Sequence, residues 1–304
     1  MKPRWRAGAC LLLCGLLIWF LADAGAVRAA AAEGLALCGR AVIPALFPFM
    51  AASTMLVSLG FGEWASPRLS GLMSLYRLPG PAGSALLLGL VGGYPIGART
   101  AAELYKKGLL TVDEAERLLG FCSNSNPVFL LSVLGGGVFG SPRAGVYLWL
   151  IHVLSALLTG LFFRGSGKPI GRQRLPRLSP CQASSLSAAF VEGVKSACGS
   201  MVYVCGFVLF FYVLASPLAA LGGPLGAGLV GFLELFSLTP LLAADRLAFV
   251  LASACAGWGG VSILCQTAAV LEGSGLRLRT YITGKALQAL LAGGLAAVVS
   301  LSLF

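Results

Sequence analysis

Long apolar runs separated by short polar segments are the dominant pattern of this 304-residue chain. Several of these runs approach the roughly 20 apolar residues that a helix needs to cross a bilayer. The runs are 8–27, 41–60, 84–98, 118–139, 143–163, 198–221, 225–243, 247–271 and 281–303. They are continuous, whereas a transmembrane β-strand alternates apolar and polar residues over about ten positions. The pattern predicts an all-α polytopic membrane protein with roughly eight or nine hydrophobic segments.

Composition supports the same class, because 58% of the residues are hydrophobic and 11% are charged, against about 25% charged in soluble domains. The net charge of +11 does not indicate nucleic acid, since the basic residues are scattered between apolar runs. There they act as orientation signals and lipid contacts. The nine cysteines include no CxxC pair, so we interpret them as packing residues rather than metal ligands or disulfides.

The first 30 residues combine a basic start, an apolar core and several small residues. A cleavable signal peptide has this composition, and so does a first transmembrane helix with a cytoplasmic N-terminus. We favour the helix, because a chain with many later spans does not need a removable signal.

Two polar segments interrupt the apolar runs. The sequence of residues 99–117 predicts a helix, a turn and a second helix. Gly108 should end the first helix, and Thr111 and Glu114 should form a capping box at the start of the second. Residues 164–180 contain five basic and no acidic residues among glycines and prolines. We interpret 164–186 as a cytoplasmic linker.

The halves on either side of this linker resemble each other. Residues 33–49 match 192–210, and 93–104 match 257–271 at a similar offset. Tandem hydrophobic modules are typical of secondary transporters. We therefore predict two membrane repeats, 31–163 and 187–304, with broken or re-entrant helices. If 84–98 is re-entrant, the basic segments 1–6, 61–82, 99–117 and 164–180 all face the cytoplasm.

The segment "GGYPIGART" (92–100) is the first predicted helix break. An apolar helix should end near Gly92, and a new one should start at Pro95 and carry Arg99 to water. The freed backbone groups need protein or a water-lined cavity around them. The break is therefore a candidate substrate-binding segment, with Tyr94, Pro95 and Gly97, or else a kink that only permits close packing.

A second break is predicted in "FCSNSNPVF" (121–129), where Ser123, Asn124, Ser125 and Asn126 separate two apolar arms. Asn126 suits an N-cap and Pro127 a first helical position, so a fresh helix should begin there. A helix N-terminus carries unpaired N–H groups and partial positive charge that attract anions. The alternative is a simple loop between two spans.

The second half adds further polar candidates. Ser262 and Gln266 are four residues apart, on one helix face. Lys285 is either a ligand or a cation that extends to the membrane interface. Glu234 is a candidate proton-coupling carboxylate or lies at the end of a tilted helix. We interpret His152 as a packed, hydrogen-bonded helix residue rather than a proton relay.

Enzyme motifs are not found: the sequence has no HExxH and no GxSxG, and "TGKA" (283–286) lacks the flanking residues of a phosphate-binding loop. We therefore expect no enzyme activity, cofactor or metal.

Three segments resemble the sporulation integral membrane protein YlbJ family, within the wider group that carries the nucleoside-recognition Gate domain. They are "VIPALFPFM" (42–50), the block from Gly92 to Gly135, and the block from Gly257 to Gly293. The resemblance covers most of residues 30–300. It implies a multi-pass membrane protein of spore-forming bacteria that is associated with moving dipicolinic acid across the outer forespore membrane.

The resemblance also extends to individual positions that match the motifs of the family. They are Pro44, Phe47, Pro48, Gly93, Tyr94, Pro95, Gly97, Glu103, Asn124, Asn126, Pro127, Gly260, Ser262 and Gln266. The chain departs from the family pattern at Leu264 and near Gln288, where histidines are usual. If those histidines serve the substrate or a proton, this chain differs in substrate or coupling, or has lost transport.

We therefore expect a transporter of a small organic anion, with dipicolinate as its substrate and Tyr94 stacking on its ring. The alternatives are a nucleoside-type transporter and a non-transporting scaffold for spore-envelope assembly. The expected partners are the anion and the lipid bilayer, with other copies of the chain or other sporulation membrane proteins as further candidates. The expected location is the bacterial cell membrane.

Overall fold

A computed structural model describes residues 3–165 and 185–304, and within these ranges the regular structure is entirely helical. The α-helices are α1 (Pro3–Ala22), α2 (Ala24–Leu37), α3 (Ile43–Ser58), α4 (Phe61–Leu75), α5 (Ala82–Gly92), α6 (Ile96–Lys106), α7 (Val112–Cys122), α8 (Pro142–Phe162), α9 (Leu186–Ala219), α10 (Gly223–Leu233), α11 (Leu235–Leu238), α12 (Arg246–Trp258), α13 (Val261–Leu271) and α14 (Arg279–Val299). Cys38–Val42 and Phe129–Val138 are π-helical, and Thr239–Leu241 and Ser300–Ser302 are 3₁₀ turns.

Five helical segments of the described chain are long and apolar enough to cross a membrane. They are Ala24–Ser58, Pro142–Phe162, Leu186–Ala219, Arg246–Leu271 and Arg279–Ser302. Four shorter apolar helices accompany them: Arg6–Ala22, Ala82–Gly92, Phe129–Val138 and Gly223–Leu233. The prediction of an all-α polytopic membrane protein is confirmed.

The boundaries of several predicted spans need correction. The predicted runs 8–27 and 41–60 are divided differently, because α1 ends at Ala22 and one helical segment continues from Ala24 to Ser58 through the π-helical turn. The predicted run 225–243 is not one helix, since α10 ends at Leu233. An apolar run shows how much chain is hydrophobic, but not where hydrogen bonding along the helix stops.

The predicted helix–turn–helix at 99–117 is confirmed. Helix α6 ends at Lys106, and Gly108 adopts a left-handed φ of 71°. Thr111 Oγ1 accepts a hydrogen bond from the backbone N–H of Glu114, while the Glu114 carboxylate accepts one from the Thr111 N–H at 2.8 Å. This reciprocal capping box starts α7.

The two long helical segments that match in sequence pack against each other in antiparallel orientation. A Cβ added at Gly34 would lie 3.1 Å from Tyr212, and one added at Gly193 would contact the carbonyl oxygen of Ala51 at 2.9 Å. Early residues of each segment therefore contact late residues of the other. The division into two membrane repeats, 31–163 and 187–304, stays a prediction.

Helices α5 and α6 fold back on each other as a hairpin with its turn at 93–95. The Cα of Gly97 is 3.0 Å from the position that a Cβ on Gly89 would occupy, so the two helices approach closely at a pair of glycines. This geometry agrees with the re-entrant interpretation of 84–98. The proposed linker 164–186 lies almost entirely outside the described residues, and its cytoplasmic position stays a prediction.

Candidate functional site

Four breaks in the described helices meet in the interior of the protein. They are 93–95 between α5 and α6, 123–126 after α7, Glu234 between α10 and α11, and 259–260 between α12 and α13. Positions at the breaks contact one another: Gly93 lies against Asn126, Gly259 against the Tyr94 ring, and Gly260 against the backbone of Leu233 and Glu234. Breaks from both halves of the chain therefore form a single centre.

Two consecutive glycines make two of these approaches. Gly259 and Gly260 have φ angles of 88° and 95°, which L side chains rarely adopt. A Cβ at Gly259 would lie 3.2 Å from the Tyr94 hydroxyl, and one at Gly260 would lie 3.0 Å from the Leu233 carbonyl oxygen. The α12–α13 break is thus shaped to hold Tyr94 on one side and the α10–α11 break on the other.

A cavity lies at this centre. Its polar lining consists of Tyr94, Ser125, Asn126, Glu234 and Gln266, and the rest of its wall is apolar. Its volume is about 20 Å³, which is room for about one water molecule. In this conformation the cavity is therefore smaller than an organic substrate, and binding of one requires the surrounding helices to move apart.

Asn126 connects two of the breaks. Its Oδ1 accepts a 2.7 Å hydrogen bond from the backbone N–H of Val128, and the helix begins at Pro127 as predicted. Its Nδ2 donates to the carbonyl oxygens of Val91 and Gly92, each at 3.4 Å. Asn126 therefore caps the helix that follows it and also satisfies the C-terminal end of α5. The second role was not predicted.

Glu234 occupies the break between α10 and α11 and is fully buried. One carboxyl oxygen, Oε2, accepts from the backbone N–H and, at 2.7 Å, the hydroxyl of Ser237, so the side chain caps α11. The other oxygen, Oε1, has no hydrogen-bond partner among the described residues. Glu234 therefore lies at a helix end that is internal and beside the cavity, and its role as a proton-coupling carboxylate stays a prediction.

Lys285 lies behind Tyr94 and is also buried. Its Nζ donates to Gln288 Oε1 at 2.6 Å and to the Tyr94 hydroxyl at 3.0 Å, and it lies 4.9 Å from the centre of the Tyr94 ring. Only 1% of the residue is exposed, so the alternative that it extends to the membrane interface is wrong. Within the described chain its hydrogen-bonding partners are neutral.

The network continues from Gln288 toward the first half of the chain. Gln288 Nε2 donates to Asn124 Oδ1 at 3.0 Å and to the carbonyl of His152 at 3.4 Å. His152 Nε2 accepts from the backbone N–H of Ser125 at 3.0 Å. His152 is therefore the packed, hydrogen-bonded residue that we predicted, although its Nδ1 has no partner among the described residues.

The structure brings together only part of the predicted site. Tyr94, Ser125, Asn126 and Gln266 line the cavity, and Ser262 accepts a 3.4 Å hydrogen bond from Gln266 Nε2 in the buried first turn of α13. Pro127 begins the helix after Asn126.

Other predicted residues lie elsewhere. Asn124 is directed toward Gln288, and Gly97 packs against the carbonyl of Cys122. Pro95 is buried within the α5–α6 turn, and Ser123 is buried without a hydrogen-bond partner among the described residues. Arg99 is exposed, as predicted, and donates to Ser196 Oγ at 3.3 Å.

Gln288 was singled out only as a departure from the family pattern, and its hydrogen bond with Lys285 was not predicted. The signal that could have found it is its position three residues after Lys285, which places both side chains on one face of α14. The described cysteines are all free: Cys38, Cys122 and Cys255 are buried, whereas Cys10, Cys14 and Cys198 are exposed. Among the described residues no group of three His, Cys, Asp or Glu side chains could hold a metal ion.

A salt bridge outside the candidate spans joins the two halves near the polar segment 99–117. The Glu116 carboxylate on α7 accepts hydrogen bonds from the Arg277 side chain at 3.0 Å and from the Arg277 backbone N–H at 3.0 Å. The hydrogen bonds from Arg277 hold the pKa of Glu116 below its usual value, against the effect of burial. The pair connects α7 to the segment that leads into α14.

Comparisons with known proteins give one informative match. No family model and no solved structure matches the chain. The chain is 26% identical over 301 residues to the "Sporulation integral membrane protein YlbJ" of Bacillus subtilis (strain 168), a match that covers 85% of this chain and 74% of the relative. It supports a sporulation-related integral membrane protein. The resemblance to the YlbJ family of sporulation integral membrane proteins that was predicted from the sequence is thereby confirmed.

Proposed function

We propose that this protein is a membrane transporter of a small organic anion during spore formation, with dipicolinic acid as its substrate. The observation that carries the proposal is the meeting of four helix breaks at one buried polar centre. Irregular backbone at membrane depth is tolerated only where it is buried in protein or lines a cavity, and in secondary transporters such breaks form the substrate site.

The chemistry at the centre suits an anion that arrives with a proton. Asn126 and Gln266 present amide groups, Ser125 presents a hydroxyl, Tyr94 presents its ring, and a helix N-terminus begins at Pro127. The unpaired oxygen of Glu234 beside the same cavity would repel an anion as a carboxylate and donate a hydrogen bond to it as a carboxylic acid. We therefore propose that Glu234 takes up the coupled proton.

Purified protein in liposomes tests the proposed function directly. Uptake of radiolabelled dipicolinate should saturate with concentration and should be inhibited by unlabelled dipicolinate but not by nucleosides. Uptake of nucleosides alone would instead favour the nucleoside-type transporter. Transport of neither class, by protein that still captures other spore-envelope proteins, would favour a scaffold.

Glu234→Gln tests the proposed role of Glu234 in proton coupling without removing the cap of α11. In Glu234→Gln the amide oxygen still accepts the hydrogen bonds from Ser237, so α11 keeps its cap, but the side chain no longer takes up a proton. We expect dipicolinate binding to persist and the dependence of uptake on a pH gradient to disappear. Glu33→Gln is the matched control, because Glu33 is exposed on α2 and accepts only from Tyr212. Unchanged coupling in Glu234→Gln would reduce Glu234 to a cap for α11.

A further inference from the structure

Tyr94 separates the cavity from a second buried polar group of side chains. Its ring lines the cavity, while its hydroxyl accepts from Lys285 and donates to the carbonyl of Ala256 at 3.4 Å. Lys285 itself is not part of the cavity lining. An ammonium group and an anion in the cavity would therefore be on opposite sides of one aromatic side chain.

The buried polar side chains on the Lys285 side of Tyr94 have more hydrogen-bond donors than acceptors. An ammonium group carries three N–H donors, and the structure gives Lys285 two acceptors, Tyr94 and Gln288. Tyr281 lies four residues before Lys285 on α14, and neither its hydroxyl nor that of Thr267 meets the geometry of a hydrogen bond with any described residue. Both residues are at most 1% exposed.

Ser123 adds a third buried hydroxyl in a segment that contacts this group. It precedes Asn124, whose Oδ1 accepts from Gln288, the acceptor of the Lys285 ammonium. Its Oγ is buried and has no partner within the described chain. Buried hydroxyls without partners are rare in proteins, and each one calls for an explanation such as a missing ligand.

The absence of an ionic partner for Lys285 within the described chain strengthens this interpretation. Leaving a charge in the interior without an ionic partner is costly. The two ion pairs in the described chain are Arg117 with Asp113 and Arg277 with Glu116, and neither includes Lys285. A carboxylate placed between Lys285 and the three hydroxyls would neutralise the ammonium and accept from the unsatisfied donors.

We propose that Lys285, Tyr281, Thr267 and Ser123 form a second carboxylate subsite, and that displacement of the Tyr94 side chain opens it to a dicarboxylate bound in the cavity. This inference rests on the proposed function and deepens it, because it assigns one carboxylate of the substrate to each side of Tyr94. Lys285 would then be the residue that makes the protein prefer a dianion to a monoanion.

Local geometry allows Tyr94 this movement. It belongs to the non-helical turn between α5 and α6, and it follows Gly93, which has a φ of 84°. Its hydroxyl end faces Gly259, where any side chain would contact it. The carbonyl of Ala256, to which the Tyr94 hydroxyl donates, also accepts from Ser125 Oγ at 3.4 Å. That carbonyl therefore keeps a donor when Tyr94 moves.

The test compares dipicolinate with picolinate, the pyridine that carries one carboxylate, by equilibrium binding to the purified full-length protein in detergent. Lys285→Met should weaken dipicolinate binding by about tenfold or more, the effect of losing a charge-assisted hydrogen bond. Picolinate binding should change much less, because one carboxylate is held in the cavity without Lys285. The ratio of the two affinities is the decisive quantity, since damage to the fold weakens both ligands together.

Tyr281→Phe gives a second measurement that does not depend on the folding of the Lys285 variant. It removes one hydroxyl that has no partner, so the stability of the protein should not fall. It should lower the preference for dipicolinate several-fold. Tyr76→Phe is the control: Tyr76 is also buried, but its hydroxyl donates to the Leu157 carbonyl, away from the site, and the preference should be unchanged.

The outcomes are distinct. A lower dipicolinate-to-picolinate preference in both Lys285→Met and Tyr281→Phe supports the subsite. Equal weakening of the two ligands, or wild-type preference in Tyr281→Phe, overturns it and leaves the proposed function standing. Wild-type protein that binds neither ligand contradicts the proposed function itself, and the subsite falls with it.

Discussion

Replacing Asn126 by alanine tests the site most directly, because this side chain lines the cavity and holds two helix ends. The variant loses the 2.7 Å hydrogen bond to Val128 N–H and the two 3.4 Å contacts to the carbonyls of Val91 and Gly92. Loss of an N-cap costs about 0.5–2 kcal/mol. The two longer contacts share one amide group and add about 1 kcal/mol together. We expect a destabilisation of about 1.5–3 kcal/mol.

The effect on the ligand should be larger than the effect on the amount of protein. An amide donor to an anion contributes about 1.5–3 kcal/mol of binding, which is tenfold or more in affinity. Asn126→Ala should therefore reach the membrane at near-normal levels and bind dipicolinate at least about tenfold more weakly. Binding and thermal unfolding of the purified variant measure the two effects separately.

Aspartate at the same position separates charge from capping. Asn126→Asp keeps the oxygen that caps the helix after Pro127, but it replaces the amide donor with an oxygen that faces the carbonyls of Val91 and Gly92. It also adds a negative charge to the cavity wall. It should reject an anion more strongly than alanine does, whereas a neutral nucleoside should be much less affected by the charge.

Asn124→Ala is the matched control. Asn124 lies in the same break and is equally buried, and it makes two hydrogen bonds, to Phe121 and Gln288, but it does not line the cavity. It should cost similar stability and less affinity than Asn126→Ala. If wild type, Asn126→Ala and Asn126→Asp transport dipicolinate equally at matched expression, the assignment of the site to this break is refuted.

Two further predictions concern the fold around the site. Gly89→Ala should greatly reduce the amount of folded protein, because a Cβ there would overlap the Cys122 carbonyl oxygen. Gly294→Ala is the control, because a Cβ there would have no neighbouring atom within 4 Å. It should be neutral or stabilising by up to about 1 kcal/mol in a thermal unfolding assay. Because Arg277 lowers the pKa of Glu116, the pair stabilises the protein above the ordinary carboxyl pKa of 4.5 and this contribution is lost as the pH falls through the lowered value. Glu116→Gln should therefore unfold at a lower temperature than wild type at pH 7, and the difference should shrink in acid; a difference independent of pH would contradict an ionic contribution.

Features fixed by neighbouring residues were predictable from the sequence. The capping box of Thr111 and Glu114, the stop at Gly108 and the helix start at Pro127 all depend on residues within four positions of each other. The turn between α5 and α6 followed from glycine and proline chemistry. Each of these signals acts through the backbone of its own segment, so no knowledge of tertiary packing was needed.

Features that depend on distant contacts were not predictable. Glu234 looked like one polar residue within an apolar run, but it ends α10 and caps α11. The π-helix Phe129–Val138 has no signal in its apolar sequence. Lys285 could be placed at an interface or in a site by its sequence, and its burial became visible only when Tyr94, 191 residues away, was found against it.

The distribution of satisfied and unsatisfied groups at the centre argues that the breaks are a site rather than a packing defect. At two of the breaks a side chain replaces the lost helical hydrogen bonds: Asn126 bonds the ends of two helices, and Glu234 bonds the start of α11. If the breaks had only a structural role, these replacement hydrogen bonds would be sufficient. The groups left over are one oxygen of Glu234 on the cavity side of Tyr94 and an excess of donors around Lys285 on the other side. Keeping such groups buried costs stability, and a proton together with an anion would satisfy both sets at once.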